Sequence, residues 1–184
     1  MSENATIVTP RLRIVPFCEQ HLTERYVGWL NDPVVVRYSE QRFIKHTLQS
    51  CRAYWSTFID SPHYFWAIEL TEGDCQGEHI GNINAYLDTR HRLADMGILI
   101  GERSLWGKGF GAEAWNGVCE WLFRRADVRK ITGGALSCNQ GMLAIMDRAG
   151  MVDDGRRYRH HLFEGKEIDV IYRALFRKNG QVEN

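Results

Sequence analysis

Residues 106–113, reading Trp-Gly-Lys-Gly-Phe-Gly-Ala-Glu, alternate glycines with other residues just before a change to helical sequence. Ahead of them, Ala94–Ile100 is a short apolar run suited to a strand. Behind them, Ala114, Val118, Trp121 and Leu122 recur at helical spacing. A glycine-rich turn that opens a helix exposes unpaired backbone N–H groups at the positive end of the helix dipole. That geometry binds phosphate. Lys108 adds charge to it. The plain alternative is a tight strand-to-helix turn with no ligand.

Three phosphate-binding readings compete, and spacing separates them. A nucleoside-triphosphate loop needs Lys followed by Ser or Thr at the helix start, and here Gly109 follows Lys108. A dinucleotide fingerprint is satisfied in its permissive form by Gly107, Gly109 and Ala112. It requires the first glycine directly after the strand, in an early strand–helix–strand unit. Residues 101–106 intervene, and the unit lies past the middle of the chain. The third reading is acetyl-coenzyme A.

That reading comes with a resemblance. The stretch resembles the pyrophosphate loop of the GNAT superfamily of N-acetyltransferases, Arg/Gln-x-x-Gly-x-Gly/Ala. Gly109 and Gly111 stand at the two small positions, and Trp106 replaces Arg or Gln. Trp-Gly-Lys-Gly followed by Ala112 and Glu113 is similar to the branch holding the ribosomal-protein N-terminal acetyltransferases. Residues 139–151 resemble the family's Asn-x-x-Ser…Glu-Lys-x-Gly-Phe block in register. Asn139, Arg148 and Gly150 fit, while Met142, Asp147 and Met151 depart. The opening Thr9-Pro10-Arg11-Leu12 also resembles that branch, so the likeness spans nearly the whole chain.

The elements that must hold these residues are legible in outline. Leu12 and Ile14 alternate with Arg11 and Arg13 as a half-buried strand. Leu22, Tyr26, Trp29 and Leu30 share a helical face that ends at Asn31-Asp32-Pro33. Thr47 caps a second helix, with Leu48, Cys51, Trp55, Phe58 and Ile59 on one face. Strands follow near 64–70 and 79–87, split by a turn-rich segment 72–78. Then come the strand 94–100, the glycine turn and its helix, a strand 131–136, a helix capped by Asn139, and two strands near 157–163 and 168–175. The pattern predicts an α/β mixed sheet, largely antiparallel, with helices on both faces and one parallel strand–helix–strand pair. The GNAT resemblance implies that the fourth and fifth of these strands splay apart, admitting the pantetheine arm of acetyl-CoA. Gly97 within the fourth strand reads as a bulge or a close backbone approach.

Composition sets bounds. A chain of 184 residues reads as a single acyltransferase domain over 1–184. Formal net charge is zero, from 23 residues of each sign, which argues against a nucleic-acid partner. Arg156, Arg157, Arg159, His160 and His161 read as a solvated strand edge. No apolar run is long enough to span a membrane, and no signal sequence opens the chain. Cysteines 18, 51, 75, 119 and 138 are scattered, without metal-ligand spacing; reduced thiols, no metal and a cytoplasmic location are expected. Cys138 reads as a small structural residue.

Acetyl transfer to an amine requires a neutral amine, a donor for the thioester carbonyl and a proton for the leaving thiolate. The resemblance implies that backbone at Ile98, Leu99 and Ile100 meets the carbonyl and the pantetheine. It implies that the turn from Trp106 and Gly107 through Lys108, Gly109, Phe110, Gly111 and Ala112 holds the pyrophosphate. Asn139 contacts the cofactor arm, caps its helix, or both. Asp95, where the branch often carries Glu, is the candidate base, with an exposed strand-edge charge as the alternative. Glu40, in the polar loop 37–42, is placed near the acceptor. Family members often carry Ser where Met142 stands or Tyr where Met146 stands. Tyr158, His160 or water must then replace that acid.

The expected activity is acetyl transfer from acetyl-CoA to a primary amine, by a monomer or homodimer. A small molecule such as an amino sugar on a nucleotide carrier is preferred to the N-terminal amine of a protein. A catalytically silent acyl-CoA-binding module is the rival from another class.

Overall fold

The computed structural model describes residues 5–71 and 77–178. Its centre is one mixed sheet in the order β1-β2-β3-β4-β5-β6-β8-β7. The strands are β1 (Ile7–Val8), β2 (Leu12–Pro16), β3 (Tyr64–Leu70), β4 (His79–Asp88), β5 (Leu93–Ile100), β6 (Lys130–Leu136), β7 (Val152–Phe163) and β8 (Lys166–Phe176). All neighbouring pairs are antiparallel except β5–β6. The fourth and fifth strands expected from sequence are therefore β5 and β6. The two-residue β1 precedes them unannounced, too short to carry a period-two signal.

Side-chain alternation divides the core between the two faces of the sheet. Leu12 and Ile14 of β2, Trp66 and Ile68 of β3, and Ala94 and Met96 of β5 join one cluster with α3 (Phe110–Arg125) and Met146 of α4 (Gln140–Arg148). Val15, Phe65 and Ala67 face the other way, with Tyr26, Trp29 and Leu30 of α1 (Glu24–Asn31) and Cys51 of α2 (Leu48–Ser56). Helices thus cover both faces. Thr23 accepts from the Tyr26 amide to start α1, and Thr47 and Ser50 form a reciprocal box that starts α2. The helix α2 ends at Ser56, leaving Phe58 and Ile59 in the following turn.

The parallel pairing of β5 with β6 covers only Leu93–Lys130, Ala94–Ile131 and Asp95–Thr132. Beyond it, β5 remains paired with β4, and β6 remains paired with β8. The strands part because each stays with its antiparallel neighbour. Gly97 carries no bulge, since the β4–β5 register runs unbroken from Gly81–Ile100 to Asp88–Leu93. The close approach there is a side chain: a Cβ on Gly97 would lie 2.8 Å from Asn84 Oδ1. The basic run falls on β7, the edge strand, as expected. Cys18, Cys51, Cys119 and Cys138 are unbonded thiols, and Cys75 lies outside the described residues.

Candidate active site

The glycine turn is built to leave amides free. Gly109, the N-cap of α3, has φ 87°, and Gly107 has φ 75°, both in the region that favours glycine. Within the turn, the N–H of Trp106 bonds to Arg103, that of Lys108 to Leu105 and that of Glu113 to Gly109. The amides of Gly107, Gly109, Phe110, Gly111 and Ala112 have no protein acceptor among the described residues. Unpaired donors at a helix start are costly unless solvated or bound, and an anion satisfies several at once. Burial of α3 holds them in place: Trp115, Val118 and Leu122 are fully buried, each worth about 2 kcal/mol. Gly111 lets α4 come close, since a Cβ there would lie 2.9 Å from Ile145 Cδ1.

A clamp absent from the sequence reading fixes the same turn. Glu113 Oε1 accepts from Thr9 Oγ1 at 2.7 Å and from the Arg11 amide at 2.8 Å, while the Arg11 guanidinium pairs with Oε2 at 2.6 Å. Arg11 also donates to the Lys108 carbonyl at 3.1 Å and lies 4.3 Å from the Phe110 ring centre. Burial raises the Glu113 carboxyl, and the bonds from Thr9 and Arg11 outweigh it, holding the group below its ordinary value. The opening Thr-Pro-Arg-Leu thus serves the glycine turn across about a hundred residues of sequence.

Two clefts meet at the splay. The first, of about 490 Å3, is lined by Ile98, Leu99 and Ile100, by Trp106, Gly107, Gly109, Phe110, Gly111 and Ala112, and by Asn139, Met142 and Arg148. Tyr38, Val34 and Val35 close it from the loop after α1. Trp106 Nε1 donates to the Ile100 carbonyl at 2.8 Å, tying the turn to the end of β5. Asn139 Oδ1 accepts from the Met142 amide at 3.1 Å, so one residue both caps α4 and lines the cleft. The second cleft, of about 460 Å3, lies on the α1–α2 face. Tyr26, Ser39, Gln41, His46, Ser50, Tyr54, Asn82 and Asn84 give it its polar lining. Ile98 and Leu99 line both clefts, and the volumes are those of small-molecule sites.

Residues 11–152 match the family model for the GNAT acetyltransferase domain. The chain belongs to the GNAT acetyltransferase family. It is an acetyl-CoA-dependent N-acetyltransferase. A relative, the N-acetyltransferase 9-like protein of Caenorhabditis briggsae, is 22% identical over 156 residues, 80% of this chain and 77% of the relative. Among solved structures, the ribosomal L7/L12 α-N-protein acetyltransferase RimL in complex with coenzyme A aligns at TM-score 0.80, with 17% identity, over 93% of this chain and 97% of that one. The spermidine N-acetyltransferase of Vibrio cholerae, in complex with CoA and spermine, aligns at 0.79 with 19% identity, over 91% and 96%. At such identities the structural likeness speaks for the fold.

In this GNAT domain the residues nominated from sequence separate into groups. Ile98–Ile100, Trp106, Gly107, Gly109–Ala112 and Asn139 line the first cleft together; the Lys108 side chain lies outside its lining. Asp95 stands in the last β5–β6 pair before the strands part, on the same face as Gly97 and Leu99 and opposite Tyr86 of β4. Its side chain reaches solvent and, like Glu40, lines neither cleft. Desolvation raises its carboxyl above the ordinary value, opposed by the Thr132 hydroxyl donating at 2.7 Å. Glu40 lines neither cleft and pairs instead with Arg42 at 3.2 Å and His161 at 3.7 Å. Tyr158 and His160 sit where the β7–β8 register shifts between Arg157 and His161, exposed on the edge strand and outside both linings.

Three participants escaped the sequence reading as individuals. Tyr38 contributes a hydroxyl-bearing side chain to the first cleft, its ring stacked on Phe163 of the β7–β8 hairpin at 5.4 Å. Glu113 anchors the turn, and Asn82 lies in the floor of the second cleft. The proximity of residues 38 and 163 carries no local signal in the sequence. Among the described residues, no group of three metal-ligating side chains comes together, and no helix is long and apolar enough to cross a membrane.

Proposed function

We propose that residues 1–184 form one acyltransferase domain that acetylates the primary amine of a small molecule, a hydroxylated amine such as an amino sugar being preferred to a protein N-terminus. The observation that carries this reading is the meeting of two clefts at Ile98 and Leu99, one opening to the free amides of the glycine turn and the other lined by hydroxyl and amide groups. Acetyl-CoA supplies an acetyl group activated as a thioester. The first cleft fits its anionic end, because amides of residues 107 and 109–112 await acceptors and Lys108 and Arg148 add positive charge nearby. Backbone at Ile98–Ile100, no longer paired to β6, is free to hold the arm and polarise the carbonyl. Asn139 supports the arm while capping α4.

The amine nitrogen bonds to the acetyl carbon as the carbon–sulfur bond breaks. The nitrogen's proton passes to Asp95 through water, and a carboxyl held above its ordinary value suits a base. Tyr38 provides the proton for the departing sulfur, as it brings the hydroxyl among the described residues lining the first cleft. Tyr158 and His160 are the competing donors and are tested beside it. Glu40 acts by bracing the loop against the tail hairpin through His161.

A free-thiol assay with an amine panel tests the reading. Thiol should be released from acetyl-CoA only when an amine is present. Tight acetyl-CoA binding with no release for any amine would favour the silent binding module.

A further inference from the structure

The floor of the second cleft contains polar atoms that the protein itself leaves unpaired. Asn82 is 9% exposed, and its Oδ1 has no hydrogen-bond partner. Tyr26 lines the same cleft, and burial pushes its hydroxyl well above its ordinary value. His46, which lines the same cleft, has an Nε2 that is also buried and unpartnered. The position of His46 is fixed: Asn31 donates to its carbonyl at 2.9 Å and accepts from its amide at 2.9 Å. A buried polar atom left without a partner costs about 1–3 kcal/mol. A polar occupant of the cleft that both residues line would supply partners that the protein itself does not.

The charge pattern narrows the occupant. Asn84 donates to Tyr54 Oη at 2.9 Å, and Tyr54 shares a 2.8 Å bond with Tyr86. Among the described lining residues there is no Asp, Glu, Lys or Arg. A second ammonium group brought into this cleft would find no counter-charge, and uncompensated burial of a cation is costly. A neutral group rich in O–H and N–H bonds would meet Asn82 Oδ1 as acceptor and His46 Nε2 as a further partner.

We infer that Asn82 and His46 set acceptor specificity: the second cleft takes a monoamine whose other substituents are uncharged hydroxyl or amide groups, and it discriminates against polyamines. This rests on the acetyl-transfer reading above and specifies its acceptor. A hydroxyl of the substrate donates to Asn82 Oδ1, another bonds His46 Nε2, and the single amine is left to approach Ile98 and Leu99.

The test compares kcat/KM by thiol release at saturating acetyl-CoA for hydroxylated monoamines (glucosamine, galactosamine, serinol), spermidine and a short peptide with a free N-terminus. The wild type should prefer at least one hydroxylated monoamine over both other classes by about tenfold or more. Asn82→Leu should lower that kcat/KM by about tenfold, chiefly through KM, with acetyl-CoA affinity by calorimetry unchanged. Asn82→Asp, nearly identical in shape, should raise the kcat/KM for spermidine by about tenfold by supplying the missing counter-charge. These magnitudes correspond to one hydrogen bond or ion pair of about 1.4 kcal/mol. Wild-type preference for spermidine or peptide, or full hydroxylated-amine activity in folded Asn82→Leu, overturns the inference while leaving acetyl transfer standing. No release with any amine, despite acetyl-CoA binding, overturns both.

Discussion

At the scale of single residues, chemistry depends on small differences of placement. Gly109 holds φ 87° and Gly111 faces Ile145, so neither tolerates a branched side chain. Gly109→Val or Gly111→Val should weaken acetyl-CoA binding by about tenfold or more, one to two amide contacts at about 1 kcal/mol each. Calorimetry on variants with wild-type circular dichroism reads this directly. Asp95 is expected to act in its ionised form. Because its carboxyl is raised, the acid limb of kcat against pH should lie above the ordinary carboxylate value of 3.8, and Asp95→Asn should remove that limb with acetyl-CoA affinity spared. Wild-type turnover across the pH range in Asp95→Asn would assign it to the surface. Tyr38→Phe should cost on the order of a hundredfold in kcat, a typical loss for a general acid. Tyr158→Phe and His160→Gln, on exposed positions of β7, should cost little. The reverse ranking would return the acid to the tail strand.

Elements carry the next layer, and here the clamp from Thr9 and Arg11, just ahead of β2, onto α3 has the clearest consequence. Glu113 is held below its ordinary value by Thr9 and Arg11, so its contribution to stability is present above about pH 4.5 and lost as pH falls through its lower folded value. Arg11 is 44% exposed, and solvent screening limits the pair. Glu113→Gln should therefore cost about 1 kcal/mol near neutral pH, a fall in Tm of about 2–4 °C. The difference from wild type should shrink below about pH 4.5. A constant gap down to pH 3 would show that the charge plays no part. The element boundaries themselves were largely written locally. Thr47 and Asn139 cap the helices their positions announced, and β3 spans residues 64–70 as its apolar run suggested, whereas α1 starts after its cap Thr23 and so excludes Leu22. The strand β7 begins five residues earlier than its sequence indicated, because Val152–Arg156 pair with β8 in spite of polar side chains. Edge strands need only backbone bonds and no buried face, so composition hides them.

For the whole molecule, the splay is the decisive feature. The β5–β6 ladder stops after Asp95–Thr132, and the sheet survives the gap because β4 and β8 hold its two sides. Filling that gap should act like restoring an inner pairing. Amide hydrogen exchange in residues 97–100 and in the turn at 107–112 should slow on addition of acetyl-CoA, while exchange in β2 and β3 stays unchanged. Equal slowing throughout the sheet would point to global stabilisation, and none at 97–100 would place the ligand elsewhere. The loop after α1 also belongs to this scale. Its Arg37 pairs with Glu164 at 2.7 Å, and Tyr38 stacks on Phe163, so the β7–β8 hairpin braces a loop that walls the first cleft.

What the amino-acid sequence determined by itself was local: periodicity, caps and the glycine turn follow from φ/ψ preferences and side-chain spacing within a dozen residues. From these came the α/β class, the glycine turn and the helix it opens. Only the tertiary structure decided which residues face each other across the sheet. It sent Glu40 to His161, brought Tyr38 into the first cleft, joined Thr9 and Arg11 to Glu113, and left Asn82 Oδ1 unpaired in the floor of the second. Such contacts depend on strand register and on the angle at which β5 and β6 part, and no local pattern of residues encodes either.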